Sequence, residues 1–303
     1  MPPVPILECV PNLSEGRRPE VIERLANAAR LPGVSLLDLH ADADHNRCVL
    51  TLAGSKAGLI EAVLALAYVA VEGIDLAMHE GVHPRLGALD VVPFVPVAGG
   101  PGGGSMSDAA EAAHGCADRI WSELLVPCFF YGGASPSRRT LPEIRRAAFS
   151  SLAADLGGPG PHPTAGAVAV GARGPLVAYN VLLATDDLPA ALEIARLLRA
   201  SNRGLPHIRA LGFRLPNAGA AQVSLNLVKP ETTTMADAWD AIGGAASRLH
   251  AEVLGAEVVG LVPAAALGGR RYDELGLATQ PKILEEEIRQ RFDLTEASDE
   301  RQA

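Results

Sequence analysis

HEGVHPRLGALD, His79–Asp90, is the stretch whose reading decides the fold. Its first five residues fit H-E-x-x-H, in which two histidines on one helical face bind zinc and the glutamate is the base. That pattern needs a helix. Pro84 directly after His83 biases His83 away from the helical region. Gly81 adds a helix penalty of about 1 kcal/mol relative to Ala. No nearby His or Glu offers a third zinc ligand. The stretch is predicted to be a loop or helix end running into a strand, with no metal bound. His83 is then a candidate acid/base group on a constrained turn beside Arg85. The plainer alternative, that His79 and His83 only satisfy loop carbonyls, stays open at this point.

The rest of the chain bounds the class. It has 303 residues, 48% hydrophobic and 20% charged, enough for one large or two ordinary domains with a substantial core. Aromatics are only 4%, so that core is predicted to be mostly Ala, Val and Leu. A net charge of −9 argues against a general nucleic-acid binder. Cys9, Cys48, Cys116 and Cys128 are scattered without C-x-x-C, which predicts buried free thiols in a reducing cytoplasm. The start MPPVPILECV lacks the features of a signal peptide. The apolar run Ala62–Val71 is too short to span a bilayer, so no membrane association is expected.

Outward from the loop, the first third reads as strand (Ile6–Val10), helix (Pro19–Arg30), two strands (Val34–His40 and Arg47–Gly54), helix (Lys56–Ile74) and strand (Ala88–Val97). Pro93 and Pro96 place that last strand at an edge or a strand end. The order recurs as strand (Pro175–Thr185), helix (Asp187–Ser201), two strands (Ile208–Leu215 and Ala220–Val228), helix (Thr232–Val253) and strand (Ala256–Pro263). Asp187 is a plausible cap, with Pro189 in the first turn. Two β-α-β-β-α-β runs predict an α+β protein of duplicated ferredoxin-like units, 1–174 and 175–303, with a ligand-binding cleft between them. Between the runs lie a helix (Ser107–Leu124), a strand (Val126–Gly132) and the basic stretch Ser137–Arg146. GGPGGGS (Gly99–Ser105) reads as a surface loop, not a P-loop. On composition, Gly157–Arg173 reads as an interdomain linker.

Several stretches match a known family in order. They are ECVPNLSEG (Glu8–Gly16), LLDLHADADHNR (Leu36–Arg47), HEGVHPRLGALDVVPFVPV (His79–Val97), SRRTLPEIR (Ser137–Arg145), TAGAVAVGAR (Thr164–Arg173), AQVSLNL (Ala221–Leu227) and VGLVPAAAL (Val259–Leu267). With them the chain resembles the formiminotransferase family. The resemblance implies a duplicated ferredoxin-like fold, a homodimer, and transfer of a formimidoyl group from N-formimidoyl-L-glutamate to N5 of tetrahydrofolate in histidine breakdown. It implies that His83, the histidine followed by Pro-Arg, is catalytic. It implies a folate-binding segment over Pro161, His162, Pro163, Thr164, Ala165, Gly166, Ala167, Val168, Ala169 and Val170. Animal members also carry a cyclodeaminase domain. The chain ends at ASDERQA, so that activity is expected from a separate protein.

His40 stands where many members carry Asp, and Ala165 where some carry an aromatic. Folate and both glutamates bring carboxylates, which makes Arg47, Arg85, Arg138, Arg139 and Arg173 candidate clamps. Asp38, Asp42 and Asp44 are candidates for holding the amidinium. With His40, the arginines Arg47, Arg85 and Arg173 form the expected substrate-binding set. The alternatives are a transferase acting on another amine such as glycine, a non-catalytic folate-binding relative, and a zinc hydrolase.

Overall fold

The computed structural model describes residues 5–97, 103–184 and 186–292. Contacts divide the chain into two units, Met1–Arg173 with Glu287–Ala303, and Gly174–Glu286. The architecture is α+β, with one sheet in each unit.

The first unit contains β1 (Ile6–Cys9), β2 (Asn12–Leu13), α1 (Pro19–Ala28), β3 (Val34–Asp42), β4 (Arg47–Ser55), α2 (Lys56–Gly73), β5 (Leu89–Pro96), α3 (Met106–Leu124), β6 (Cys128–Gly132), α4 (Leu141–Ala147) and β7 (Val168–Ala172). β1 lies between β4 and β5, antiparallel to both, and β3 flanks β4. On the other side β5 pairs in parallel with β7, and β7 with β6. β5 is therefore an interior strand: of the two readings its prolines allow, an edge or a strand end, Pro96 fits the second as the last residue of the strand. Pro93 is tolerated because it faces Val10, where β1 ends before β2 begins. There its carbonyl accepts the Val10 N–H at 3.1 Å, and the N–H that proline lacks falls at the break.

The sheet alternates with period two. Leu7, Cys9, Leu50, Leu52, Val92, Phe94, Val168 and Val170 point into one core with residues of α1, α2 and α3. Ala62, Ala67 and Ala70 of α2 and Ala109, Ala112 and Ala113 of α3 are buried there, and α2 packs on α3. Small side chains let those helices approach closely, as a core poor in aromatics requires. On the other face Val91, Phe129, Tyr131, Ala167 and Ala169 pack with Ile144 of α4. β7 is thus buried on both faces, which corrects the linker reading of Gly157–Arg173. A strand of small residues between two cores has no polar face, so its composition mimics a flexible segment.

The second unit contains β8 (Val177–Leu183), α5 (Leu188–Leu198), β9 (Ile208–Leu215), β10 (Ala220–Leu227), α6 (Met235–Arg248) and β11 (Val253–Val259); α7 (Leu284–Phe292) follows. Its sheet runs β11-β8-β10-β9, every pair antiparallel. Asp187 caps α5 by accepting the Ala190 N–H, with Pro189 in the first turn. β11 starts earlier than predicted, with an irregularity between Val253 and Gly255. Residues 99–102 of the Gly-rich loop and the ASDERQA end lie outside the described residues; Ser105 caps α3 with Asp108.

All four cysteines are buried free thiols, and burial pushes their thiol groups up. Among the described residues no helix is long and apolar enough to cross a membrane.

Candidate active site

The chain from His79 to Gly87 is not helical. A single 3-10 turn, Leu76–Met78, ends at His79, whose φ of −89° and ψ of 127° are extended. Gly81 is required here: a Cβ on it would stand 2.5 Å from the His45 carbonyl oxygen. Arg85 braces the turn by donating from Nη2 to the carbonyls of Gly81 (2.6 Å) and His83 (2.8 Å). Asp90, at the start of β5, accepts the N–H groups of Leu86 and Gly87 on one oxygen and pairs with Arg145 of α4 through the other.

Three further segments lock onto this turn. Asn46, in the β3–β4 turn with φ of 45°, donates to the Glu80 carbonyl at 2.8 Å and accepts the Gly16 N–H at 2.9 Å. Val82 N–H donates to the Asp44 carbonyl. From the Gly/Pro-rich side, Leu76 N–H donates to Thr164, Ala88 N–H to Ala165, and Ala167 N–H to Leu86. The predicted folate segment and the histidine turn are thus neighbours joined by backbone hydrogen bonds. Within that segment His162 Nδ1 accepts the N–H groups of Thr164 (3.3 Å) and Ala165 (3.0 Å), which closes a tight loop. Ala165, Ala167, Val168, Ala169 and Val170 have buried side chains, with Gly166 buried among them at φ of +69°. Pro161 and Pro163 are exposed, His162 and Thr164 half-buried.

The two histidines of the turn have different environments. His79 Nε2 lies 3.0 Å from the Asn46 carbonyl oxygen, so it carries the proton. Its Nδ1 is a buried lone pair with no hydrogen-bond partner among the described residues. His83 Nε2 lies 3.0 Å from Nη1 of Arg47. A guanidinium only donates, so this nitrogen is the unprotonated acceptor. The proton of the neutral ring therefore sits on Nδ1. Burial, then the cations Arg47 and Arg145, then His45 push the imidazole down from 6.5 to about 2. The His45 ring is 5.9 Å away, tilted by 58°. Arg47 is itself lowered, first by burial.

The other expected site residues divide between structural duties and the neighbourhood of His83. Arg85 holds loop carbonyls and is not a free clamp. Arg139 pairs with Asp155. Arg138 has φ of 55° in the turn before α4. Arg173 donates its N–H to the Phe94 carbonyl, and its side chain hydrogen-bonds Tyr131. His40 and Asp42 lie on β3 opposite Val49 and Arg47, so they share the sheet face that carries Arg47. Asp42 Oδ1 accepts the His45 N–H at 2.7 Å. Asp38 lies opposite Thr51.

Sequence reasoning missed His45, Asn46, Asp90 and Arg145 as site residues. The available signal was the run HNR between two strands, since a polar turn at a strand junction positions side chains as a loop does. A groove of about 620 Å³ also opens in this unit, with Glu15, Arg17, Asn46, Asp75, His79 and Thr164 among its walls. It adjoins His79 and the folate segment and is not lined by His83.

Residues 6–173 match the family model for the formiminotransferase domain, N-terminal subdomain, and residues 178–272 match that for the formiminotransferase domain. A glutamate formimidoyltransferase from Streptococcus pyogenes serotype M1 is 41% identical over 274 residues, covering 86% of this chain and 90% of that protein. A glutamate formimidoyltransferase from Thermoplasma acidophilum is 33% identical over 299 residues, covering 93% and 97%. A formimidoyltransferase-cyclodeaminase from Gallus gallus is 41% identical over 281 residues, covering 86% of this chain but 51% of its own length.

Proposed function

This chain belongs to the formiminotransferase family, and from that premise we propose that it is a glutamate formimidoyltransferase with His83 as its proton carrier. The reaction joins N5 of tetrahydrofolate to the formimidoyl carbon of N-formimidoyl-L-glutamate and expels L-glutamate. The N5–H proton must leave as the new C–N bond forms. The glutamate nitrogen must gain a proton as the old C–N bond breaks. His83 Nε2 accepts the first proton and returns the second, so no net proton is consumed and the products are 5-formimidoyltetrahydrofolate and glutamate. The observation that carries the reading is the tautomer of His83. The Nε2 lone pair accepts from a guanidinium, which leaves the proton of the neutral ring on Nδ1. A ring locked in one tautomer on a braced turn is pre-oriented for transfer at one nitrogen.

Arg47 supplies a positive charge for a substrate carboxylate, with Arg173 and His40 as further substrate contacts. Pro161–Val170 serves as the folate segment: exposed Pro161 and Pro163, with half-buried His162 and Thr164, offer the contact surface, and the buried stretch Ala165–Val170 fixes it. Ala165 cannot stack on a pterin, because its methyl group lies in the core. No metal takes part. The two units are ferredoxin-like repeats, since in each β-α-β-β-α-β run the first strand lies between the third and the fourth. The enzyme works in the cytoplasm as a homodimer. Turnover with tetrahydrofolate against a panel of formimidoyl amino acids tests the assignment. Formimidoylglutamate is expected to be the best donor, and a preference for formimidoylglycine would overturn it.

A further inference from the structure

The contact between Arg47 and His83 has a consequence for when the base can act. The Nε2 lone pair that must receive the N5 proton is already the acceptor for Arg47 Nη1 at 3.0 Å. Protonating it in place would put an imidazolium against a guanidinium. The cations Arg47 and Arg145 and the ring of His45 all oppose that charge. As it stands, this imidazole is a poor base.

The carboxylates nearby do not draw Arg47 away. Asp90 is engaged by Arg145 and by the amides of Leu86 and Gly87. Asp42 Oδ1 is engaged by the amide of His45. Arg47 thus holds a neutral ring where a guanidinium's best partner is a carboxylate. Its backbone is fixed as the first residue of β4, opposite Asp42, so the side chain is what can change partner.

We propose that Arg47 is a carboxylate-operated cover on His83: it masks Nε2 in the unliganded protein and turns to the carboxylate of a glutamate-bearing substrate, which frees the base only when substrate is seated. This rests on His83 being the proton carrier. Arg47 is here a positioning residue. The carboxylate has two possible sources, the glutamate of the donor and the glutamate tail of the folate.

Nitrogen-15 NMR of histidine-labelled full-length protein is the test. Without ligand, His83 is expected to stay neutral, protonated at Nδ1, from pH 8 down to pH 5. Saturating L-glutamate should change its Nε2 signal and make it titrate above pH 5. If 5-formyltetrahydrofolate does so instead, while 5-formyltetrahydropteroate, which lacks the glutamate, does not, the tail is the operating carboxylate. Arg47→Gln should make His83 titrate at a higher pH than wild type without ligand, while burial and Arg145 still hold it below 6.5, and raise KM for the donor at least tenfold, an effect that a merely structural arginine would not produce. If that variant does not fold, the wild-type titrations decide alone. A His83 signal unchanged by both carboxylate ligands at saturation overturns the cover. Full activity of His83→Ala would instead sink the underlying assignment, so the two failures are distinguishable.

Discussion

Asp90 and Arg145, 55 positions apart, form an ion pair at the foot of the turn that carries His83. The Asp90 side chain is 3% exposed and that of Arg145 19%. One carboxylate thus ties α4 to the start of β5 and caps two amides of the turn. Asp90→Ala would leave Arg145 and both N–H groups without their acceptor. Removing one partner of a buried pair typically costs about 3–5 kcal/mol. We expect Asp90→Ala to lose stability on that scale in urea unfolding, with activity falling even where the protein remains folded. A loss under about 1 kcal/mol would mean that the pair does not hold the turn.

One glycine in each unit separates a tight site from an open one. A Cβ at Gly166 would stand 2.5 Å from the Leu86 carbonyl oxygen, at a φ of +69° that side chains rarely adopt. Gly243 lies exposed inside α6 with nothing within 4 Å of its Cβ position. Gly166→Ala should therefore lower the melting temperature and weaken folate binding. Gly243→Ala should raise stability by roughly 0.4–1 kcal/mol, because it removes backbone freedom from the unfolded chain. Opposite signs in thermal melts are the expected result; equal effects would refute the close packing of the two loops.

Much of this was legible in the sequence, and the exceptions share a cause. The elements of both β-α-β-β-α-β runs follow from periodicity, and Pro84 with Gly81 is enough to break the H-E-x-x-H helix. What periodicity cannot supply is the identity of neighbours. β7 reads as a linker because Ala and Gly between two cores leave no alternation. β5 reads as an edge or a strand end because nothing local shows that Pro93 faces a break in the neighbouring strand. Arg85 is an apparent clamp that spends its donors on the carbonyls of its own loop. Arg145 is an apparent surface charge that reaches Asp90. His83 was found on motif and resemblance, but its contact with Arg47 depends on a pairing 36 positions apart that only the fold provides.

The depressed His83 has a pH signature. Below pH 6.5 the unfolded chain takes up a proton at this position that the folded protein refuses. Its contribution is therefore full above pH 6.5 and is lost as pH falls from 6.5 toward 2. The ceiling is about 1.4 kcal/mol per pH unit. The measured loss should be smaller, because the side chain is only part-buried. Urea midpoints at pH 7.5 and 5.5 should show a steeper fall for wild type than for His83→Gln. Parallel profiles would show that His83 protonates freely in the folded state.

Zinc chemistry makes a separate prediction. His79 Nε2 is committed to the Asn46 carbonyl and His83 Nε2 to Arg47, and the chain between them is not helical. Purified protein should contain no stoichiometric zinc, and chelators should leave turnover intact. One zinc per chain, with activity lost on chelation, would reverse the reading of the turn.

The contrast between the two histidines tests the mechanism most directly. His83→Ala should fold, still bind 5-formyltetrahydrofolate, and lose roughly 10²-fold or more in turnover, the scale for losing a general acid/base. Its ring supports no core cluster, and the turn is held by Arg85, Asp90 and Asn46. His79→Ala removes a hydrogen bond to the Asn46 carbonyl that helps set the β3–β4 turn. It should cost about 1 kcal/mol of stability and a smaller share of turnover, because that ring has no proton to move in the reaction. Steady-state kinetics and urea unfolding on both variants separate the effects. If His79→Ala abolished turnover while His83→Ala kept it, the proton carrier would be the wrong histidine. If both variants failed to fold, the histidines would be satisfying loop carbonyls and no more.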